Sequence, residues 1–299
     1  MTEPARCGVV ALVGAPNAGK STLVNALVGQ KLAIVSPKVQ TTRTRLLGVA
    51  LEGSAQLLLH DTPGLFEPKR RMDRAMVADA WEAARDADII LALLDSKTGL
   101  SPDAGRMLDR LSQAETHVWL VLNKVDLVAK GRLLELAAEA SSRGRAAETF
   151  MVSALTGDGV ADLKAALARA VPEGPWLYPE DQVTDAPARA LAAELTREQL
   201  FLQLSQELPY ATAVLPESYE ERADGSIVIR QQILVDRESQ KAIVLGRGGA
   251  RIRAIGEAAR KAIGEALGRP AHLFLHVKVK PDWAEDSRTL ADLGFQKTD

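Results

Sequence analysis

Gly14-Ala15-Pro16-Asn17-Ala18-Gly19-Lys20-Ser21 matches the pattern G-x-x-x-x-G-K-[ST] at every position. No other run in the chain narrows its fold so far. Such a loop works only between a strand and a helix, where backbone N–H groups converge on an anion at a helix N-terminus. The flanks supply both: residues 9–13 form a short apolar run, and 21–28 carry a helical pattern. Lys20 is placed to reach the β- and γ-phosphates of a nucleoside triphosphate, and the Ser21 hydroxyl to meet Mg²⁺. Thr22, next in the helix, joins the nucleotide-binding set. An ordinary glycine-rich turn would not need the lysine and hydroxyl together.

Four more apolar runs follow, at 57–60, 89–94, 118–122 and 149–152, alternating with amphipathic stretches at 71–85, 102–111, 131–142 and 159–170. That alternation predicts an α/β unit, a mostly parallel sheet covered by helices. Residues 49–52 and 55–59, joined by Gly53-Ser54, read as an antiparallel hairpin at one sheet edge. Pro172, Gly174, Pro175 and Pro179 then interrupt every period. The expected division is a first domain over 1–175, a linker over 176–186 and a second domain over 187–299. The second reads α-β-β-α-α-β: helix 187–208, strands 212–218 and 226–235, helices 239–244 and 250–267, strand 272–278. A chain of 299 residues is long enough for two such cores.

Composition excludes other classes. With 46% hydrophobic and 25% charged residues, the chain is neither a disordered tail nor a collagen-like repeat. Its lone Cys7 cannot form an internal disulfide, which fits a reducing compartment and reads as a small buried residue rather than a nucleophile. Apolar runs stop near six residues, whereas a spanning helix needs about 20. The polar start does not read as a signal peptide. The expectation is a cytoplasmic protein.

Three further motifs fall at strand ends, the edge where ligands bind in such sheets. Asp61-Thr62-Pro63-Gly64 offers a carboxylate to Mg²⁺ through water and a Gly64 amide to a γ-phosphate. Asn123-Lys124-Val125-Asp126 offers a carboxylate that accepts both N1–H and the 2-amino group of guanine, donors that adenine lacks. The Lys124 stem can lie along the base while Asn123 braces the loop. Ser153-Ala154-Leu155 offers a backbone N–H to the guanine carbonyl. Each alone is a common turn; four in order are not.

Across roughly residues 7–171 the chain therefore resembles the translation-factor-class P-loop GTPases. The resemblance implies GTP binding, Mg²⁺ and hydrolysis of the γ-phosphate, with Lys20, Thr42 and Gly64 as the catalytic set and Ser21, Thr42 and Asp61 around the metal. Thr42 lies in Gln40-Thr41-Thr42-Arg43, which matches the first switch; Thr41 is the neighbour that would replace it. Many small GTPases place a glutamine where this chain has Leu65. Either another group positions the attacking water, or turnover is slow and needs a partner; Leu65 packing against a switch helix is compatible with both. Asn17 suggests one such group. GTPases that resemble this one at Asn17 and Leu65 include potassium-stimulated members, so Asn17 is a candidate K⁺ ligand, or else only a brace of its turn.

Gly246-Arg247-Gly248-Gly249 lies between two helical patterns, and six basic residues stand against one acidic from Lys241 to Lys261. Lys241, Gly246, Arg247, Gly248, Gly249, Arg251, Ile252 and Arg253 form the candidate RNA-binding set. Ile243, Val244 and Ile252 read either as a floor for bases or as core. The element order around this loop resembles a KH domain of the bacterial (type II) topology, an α+β fold. A P-loop GTPase followed by such a domain resembles the Era family, and Leu208-Pro209-Tyr210 and the ending Val277-Lys278-Val279-Lys280…Trp283 extend the match. That resemblance implies binding near the 3′ end of 16S ribosomal RNA, assistance to 30S subunit maturation and peripheral contact with the inner face of the membrane; a monomer is expected. Two other classes compete. One is an RNA-binding assembly protein with a largely structural nucleotide site. The other is a transfer-RNA-modification GTPase, which usually carries a cofactor domain or a C-terminal cysteine; the only cysteine here is Cys7.

Overall fold

The computed structural model of the chain describes residues 4–36, 38, 41–205 and 208–295. Gln40, part of the first-switch match, lies outside them. Contacts divide the chain into two units: Met1–Ala33, Thr42–Lys69 and Asp73–Asp185 in the first, and Ile34–Thr41, Arg70–Met72 and Ala186–Asp299 in the second.

In the first unit, β1 (Arg6–Gly14) leads through the phosphate loop into α1 (Lys20–Val28). The hairpin β2 (Leu46–Glu52) and β3 (Ala55–Asp61) follows, then α2 (Arg71–Arg85), β4 (Ile89–Asp95), α3 (Pro102–Leu111), β5 (His117–Asn123), α4 (Lys130–Gly144), β6 (Glu148–Val152) and α5 (Val160–Ala170). The sheet order is β2-β3-β1-β4-β5-β6. Only the β2–β3 pair is antiparallel, with Gly48 opposite Leu59; the other pairs are parallel. Alternate strand residues feed two apolar layers. Leu57, Leu59, Leu91 and Val121 pack with Leu23 and Leu27 of α1 and Leu163 of α5. Ile90, Leu94, Leu120 and Leu122 pack with Ala80 of α2, Met107 of α3 and Leu136 of α4. Each such fully buried aliphatic contributes about 1.5–3 kcal/mol. Burial on both faces is why these strands read as unbroken apolar runs.

The proline-rich stretch after α5 lies along the β2–β3 edge. Gln56 holds it, accepting from the Leu177 and Tyr178 amides at 2.8 and 3.0 Å and donating to the Tyr178 carbonyl at 2.8 Å. The Val49 amide donates to the Val183 carbonyl (2.8 Å) and the Thr184 hydroxyl to the Leu47 carbonyl (2.6 Å).

The second unit runs α6 (Ala188–Gln203), β7 (Thr212–Glu221), β8 (Ile227–Val235), α7 (Glu238–Leu245), α8 (Ala250–Leu267), β9 (Ala271–Val279) and α9 (Ser287–Asp292). β7 is antiparallel and β9 parallel to the central β8. Ile233 and Val235 of β8 pack with Leu200 of α6, Val244 of α7 and Ile255 of α8. A register shift between Pro216 and Ser218 lets β7 carry a proline. Arg197 of α6 is buried, pairs with Glu194 and donates to the Thr41 carbonyl.

Candidate functional site

The start of α1, the segment before β2 and the end of β3 bring three polar side chains together. Ser21 Oγ donates to Asp61 Oδ2 at 2.7 Å, Thr42 Oγ1 donates to the same oxygen at 2.9 Å, and the two hydroxyls lie 2.8 Å apart. These are the three residues expected around the metal. Two hydroxyls and a carboxylate are hard oxygen donors, the set that suits Mg²⁺. Lys20 Nζ donates to the carbonyls of Gly14 (3.1 Å) and Ala15 (3.3 Å). Burial pushes its ammonium down to about 8, against the pull of Asp61. A buried ammonium beside an anion site gains back its solvation when phosphate arrives.

The glycines of the loop are needed for approach. Gly19 has φ 95°, and a Cβ there would lie 2.2 Å from Asn123 Nδ2. A Cβ on Gly64 would lie 2.8 Å from Pro16 Cγ and 2.9 Å from its backbone nitrogen. The loop after β3 thus touches the phosphate loop, and the Leu65 amide donates to the Gly14 carbonyl at 2.9 Å. The Leu65 side chain is buried with Val13, Ala80 and Ala84. Of the roles open to Leu65, the packing one is what the fold uses. Thr62 is buried, and its hydroxyl donates to the Leu12 carbonyl at 2.5 Å, so it braces the turn. Ala18 is buried, while Asn17 is exposed with φ 63°, the left-handed region that asparagine tolerates.

Asn123 connects three loops. Its Nδ2 donates to the Ala18 carbonyl (2.8 Å), and its Oδ1 accepts from the amides of Lys124 (2.8 Å) and Ala154 (3.0 Å). The Ala154 amide, one of those offered to a guanine carbonyl, is therefore already engaged by a side chain. Asp126 is exposed on a 3₁₀ turn, and Leu155 is 82% exposed. Lys124 has φ 64°, and its ammonium pairs with Asp95 Oδ2 at 2.7 Å. Asp95 was not among the expected site residues. Its signal was present, because it ends β4 at the same sheet edge as Asp61 and Asn123.

In the second unit Gly246, Gly248 and Gly249 all have positive φ (71°, 58° and 76°). Nothing lies within 4 Å of a Cβ built on Gly248 or Gly249, so a backbone can approach there. Arg247 and Arg253 are exposed, and Lys241 is half-buried. Arg251 Nη1 donates to the Ile243 carbonyl at 3.1 Å, bracing the end of α7. Val244 is fully buried, so of its two readings the core one holds; Ile243 is 47% exposed. Ile252 lines a cleft of about 560 Å³ with Gly249, Arg253, Gly256, Leu273 and Leu275.

Residues 9–124 match the family described as 50S ribosome-binding GTPase, and residues 207–284 match the KH domain. The chain is 56% identical to GTPase Era of Afipia carboxidovorans over 294 residues, covering 98% of this chain and 96% of the relative. It is 56% identical to GTPase Era of Erythrobacter litoralis over 300 residues, 99% of each. Its structure is similar to that of Era in complex with MgGDPNP and nucleotides 1506–1542 of 16S ribosomal RNA (TM-score 0.92, 37% identity, 97% of this chain and 99% of that one). It is also similar to a tyrosine-to-alanine variant of Aquifex aeolicus Era bound to GDP and aluminium fluoride (TM-score 0.91, 37% identity, same coverage). With a GTPase family model and a KH model matched in one chain, and relatives matched nearly end to end, the chain belongs to the Era family of GTPases.

Proposed function

We propose that this GTPase is a switch whose KH unit binds the 3′ region of 16S ribosomal RNA and which assists 30S subunit maturation. The observation that supports the reading is the pairing in one chain of the Ser21–Thr42–Asp61 convergence with a basic glycine loop beside a cleft. Ser21 and Thr42 would ligate Mg²⁺ and Asp61 would hold one of its waters. The ion supplies neutralisation of charge on the β- and γ-phosphates. Lys20 holds the same oxygens, Gly64 aims its amide at the γ-phosphate, and Asp126 selects guanine.

Leu65 lies in an apolar cluster and cannot orient water. Asn17 is exposed on the phosphate loop, where its amide oxygen would join phosphate oxygens around K⁺. That charge would act where the transition state spreads negative charge. Hydrolysis is then faster in potassium than in sodium at equal ionic strength, and Asn17→Ala removes the difference while GTP affinity stays close to the parent's. Equal rates in both salts, with RNA present, would leave Asn17 a turn brace.

The buried Leu65 also favours one competing reading, an assembly protein with a structural nucleotide. Steady-state phosphate release with and without RNA separates the two: a switch turns over faster with RNA, and a structural site shows no turnover in either condition. Contact with the membrane's inner face rests on the resemblance, since the run Lys69-Arg70-Arg71 is only a short basic cluster of a kind that is more often a solvated face. No helix among the described residues is long and apolar enough to cross a membrane.

A further inference from the structure

β9 is the edge strand of the second sheet, so its side chains alternate between two faces. Leu273 and Leu275 turn inward and line the cleft beside the glycine loop. His272, Phe274, His276 and Lys278 turn outward, and all four are exposed. Phe274 keeps 54% of its surface in solvent, and Arg230 of β8 sets its guanidinium 5.5 Å from the ring centroid. No carboxylate stands in this outward row. The acids of the outer face, Glu217 and Glu220, sit on β7, where Gln232 and Arg230 engage them.

A lone exposed phenylalanine means little by itself. Its position relative to the cleft gives it meaning. Glu257 and Arg260 line that cleft and also a second one, of about 980 Å³, further along α8. Lys261, Glu265, Arg269 and His272 also line the second cleft, where Lys261 pairs with Glu265 at 3.9 Å and Arg269 with Glu221 at 2.7 Å. His272 thus belongs to the end of a cleft in which Arg260, Lys261 and Arg269 outnumber Glu257 and Glu265, and to the first position of the outward row, with Phe274 two residues along the same face, about 7 Å away. A protein partner would want a broader apolar patch than one ring among cations and imidazoles. A nucleic-acid strand wants this arrangement: cations for its phosphates and a flat ring, flanked by a guanidinium, for a base.

We propose that an RNA strand held in the glycine-loop cleft continues past Arg260 and His272, turns round the start of β9 and stacks a base on Phe274 of the outer sheet face. This rests on reading the cleft as the RNA site. Stacking on a ring is sequence-tolerant, so the platform adds length and affinity rather than base readout.

Fluorescence anisotropy on the full chain tests it, using two end-labelled oligoribonucleotides from the 3′ end of 16S ribosomal RNA, a four-mer and a twelve-mer. Phe274→Ala leaves four-mer affinity unchanged and weakens the twelve-mer by about 5- to 150-fold, the range expected for one stacked base. Phe274→Trp restores twelve-mer binding, which a damaged fold would not. No loss on either length, or an equal loss on both, overturns the platform. The Arg247→Asp, Gly248→Asp double variant tells that failure from failure of the cleft. If it loses both lengths while Phe274→Ala changes nothing, the cleft stands and the platform falls. If it keeps both lengths, the reading of the cleft falls and the platform falls with it.

Discussion

Asp126 presents its carboxylate on an exposed 3₁₀ turn, and the exchange Asp126→Asn keeps its size while removing one of two acceptors for guanine. Loss of the charged acceptor leaves one guanine donor facing an amide donor, at a cost on the order of 2–5 kcal/mol, or tens to thousands of fold in affinity. GTP binding should weaken by that factor and xanthosine triphosphate should gain; calorimetry with both nucleotides checks it, and unchanged GTP affinity would remove Asp126 from the site. Residues such as this were legible because their chemistry depends on spacing alone. Asn123 was readable as a brace, but its partners Ala18 and Ala154 on two other loops were not, since they come from segments far apart in sequence. Asp95 was missed for the same reason, its lysine partner lying 29 positions away. Gln231 shows the reverse case, a polar residue within an apolar alternation. It is fully buried on β8, and neither amide atom has a hydrogen-bond partner among the described residues. A buried unsatisfied amide costs about 1–3 kcal/mol, so Gln231→Met, similar in volume, should raise the melting temperature. A fall would mean the amide has a use that packing does not reveal.

In α3 and α8, where period and cap coincide, the expected bounds hold to the residue. α3 begins at Pro102 after Ser101, whose hydroxyl accepts from the Ala104 amide, and α8 ends at Leu267, capped by Gly268 with φ 63°. Periodicity misled where the core outlasted the helix. Leu204 and Leu208 remain buried, which extended the expected helix to 208, yet α6 ends at Gln203 and Leu204 is extended. β7 runs past the expected 218 to Glu221, because the irregularity after Pro216 accommodates the proline within the strand. α9, six residues long, is too short to show a period. Its start is built by Asp286, which accepts from the Thr289 amide (2.7 Å) and from Lys280 Nζ (3.0 Å). These bonds, the amide's first, hold the Asp286 carboxyl down at about 2. A folded pKa below the unfolded value near 3.8 stabilises the protein above pH 4, and that stability is lost as pH falls from about 4 to 2. Asp286→Ala should therefore melt below the parent at pH 7, with the gap narrowing through that window. A gap that is constant with pH would assign the effect to packing instead.

At the scale of the whole molecule, each unit has its own sheet and its own apolar clusters. The boundary between Asp185 and Ala186 follows a stretch whose prolines announced a break but whose attachment to β2 and β3 was not readable. Gln56, the residue that holds it, is one polar position in an otherwise apolar strand, and nothing local marks what it binds. Separate cores predict separable losses. In the Arg247→Asp, Gly248→Asp variant, carboxylates replace a cation and a hydrogen where an RNA backbone would pass. The variant should fold, because Arg247 is exposed, space around Gly248 is open and aspartate tolerates its φ of 58°. RNA binding should be lost, while basal GTP hydrolysis stays at the parent's rate because Lys20, Thr42 and Gly64 are untouched. For the parent, affinity should fall with salt at a log–log slope of about −2 to −3 if three or four phosphates are neutralised. A shallower slope would mean that the six basic residues around the loop mostly serve the fold. If RNA titrations of variant and parent overlay, the glycine loop is not where RNA binds; if basal hydrolysis falls with RNA binding, the two sites are not independent.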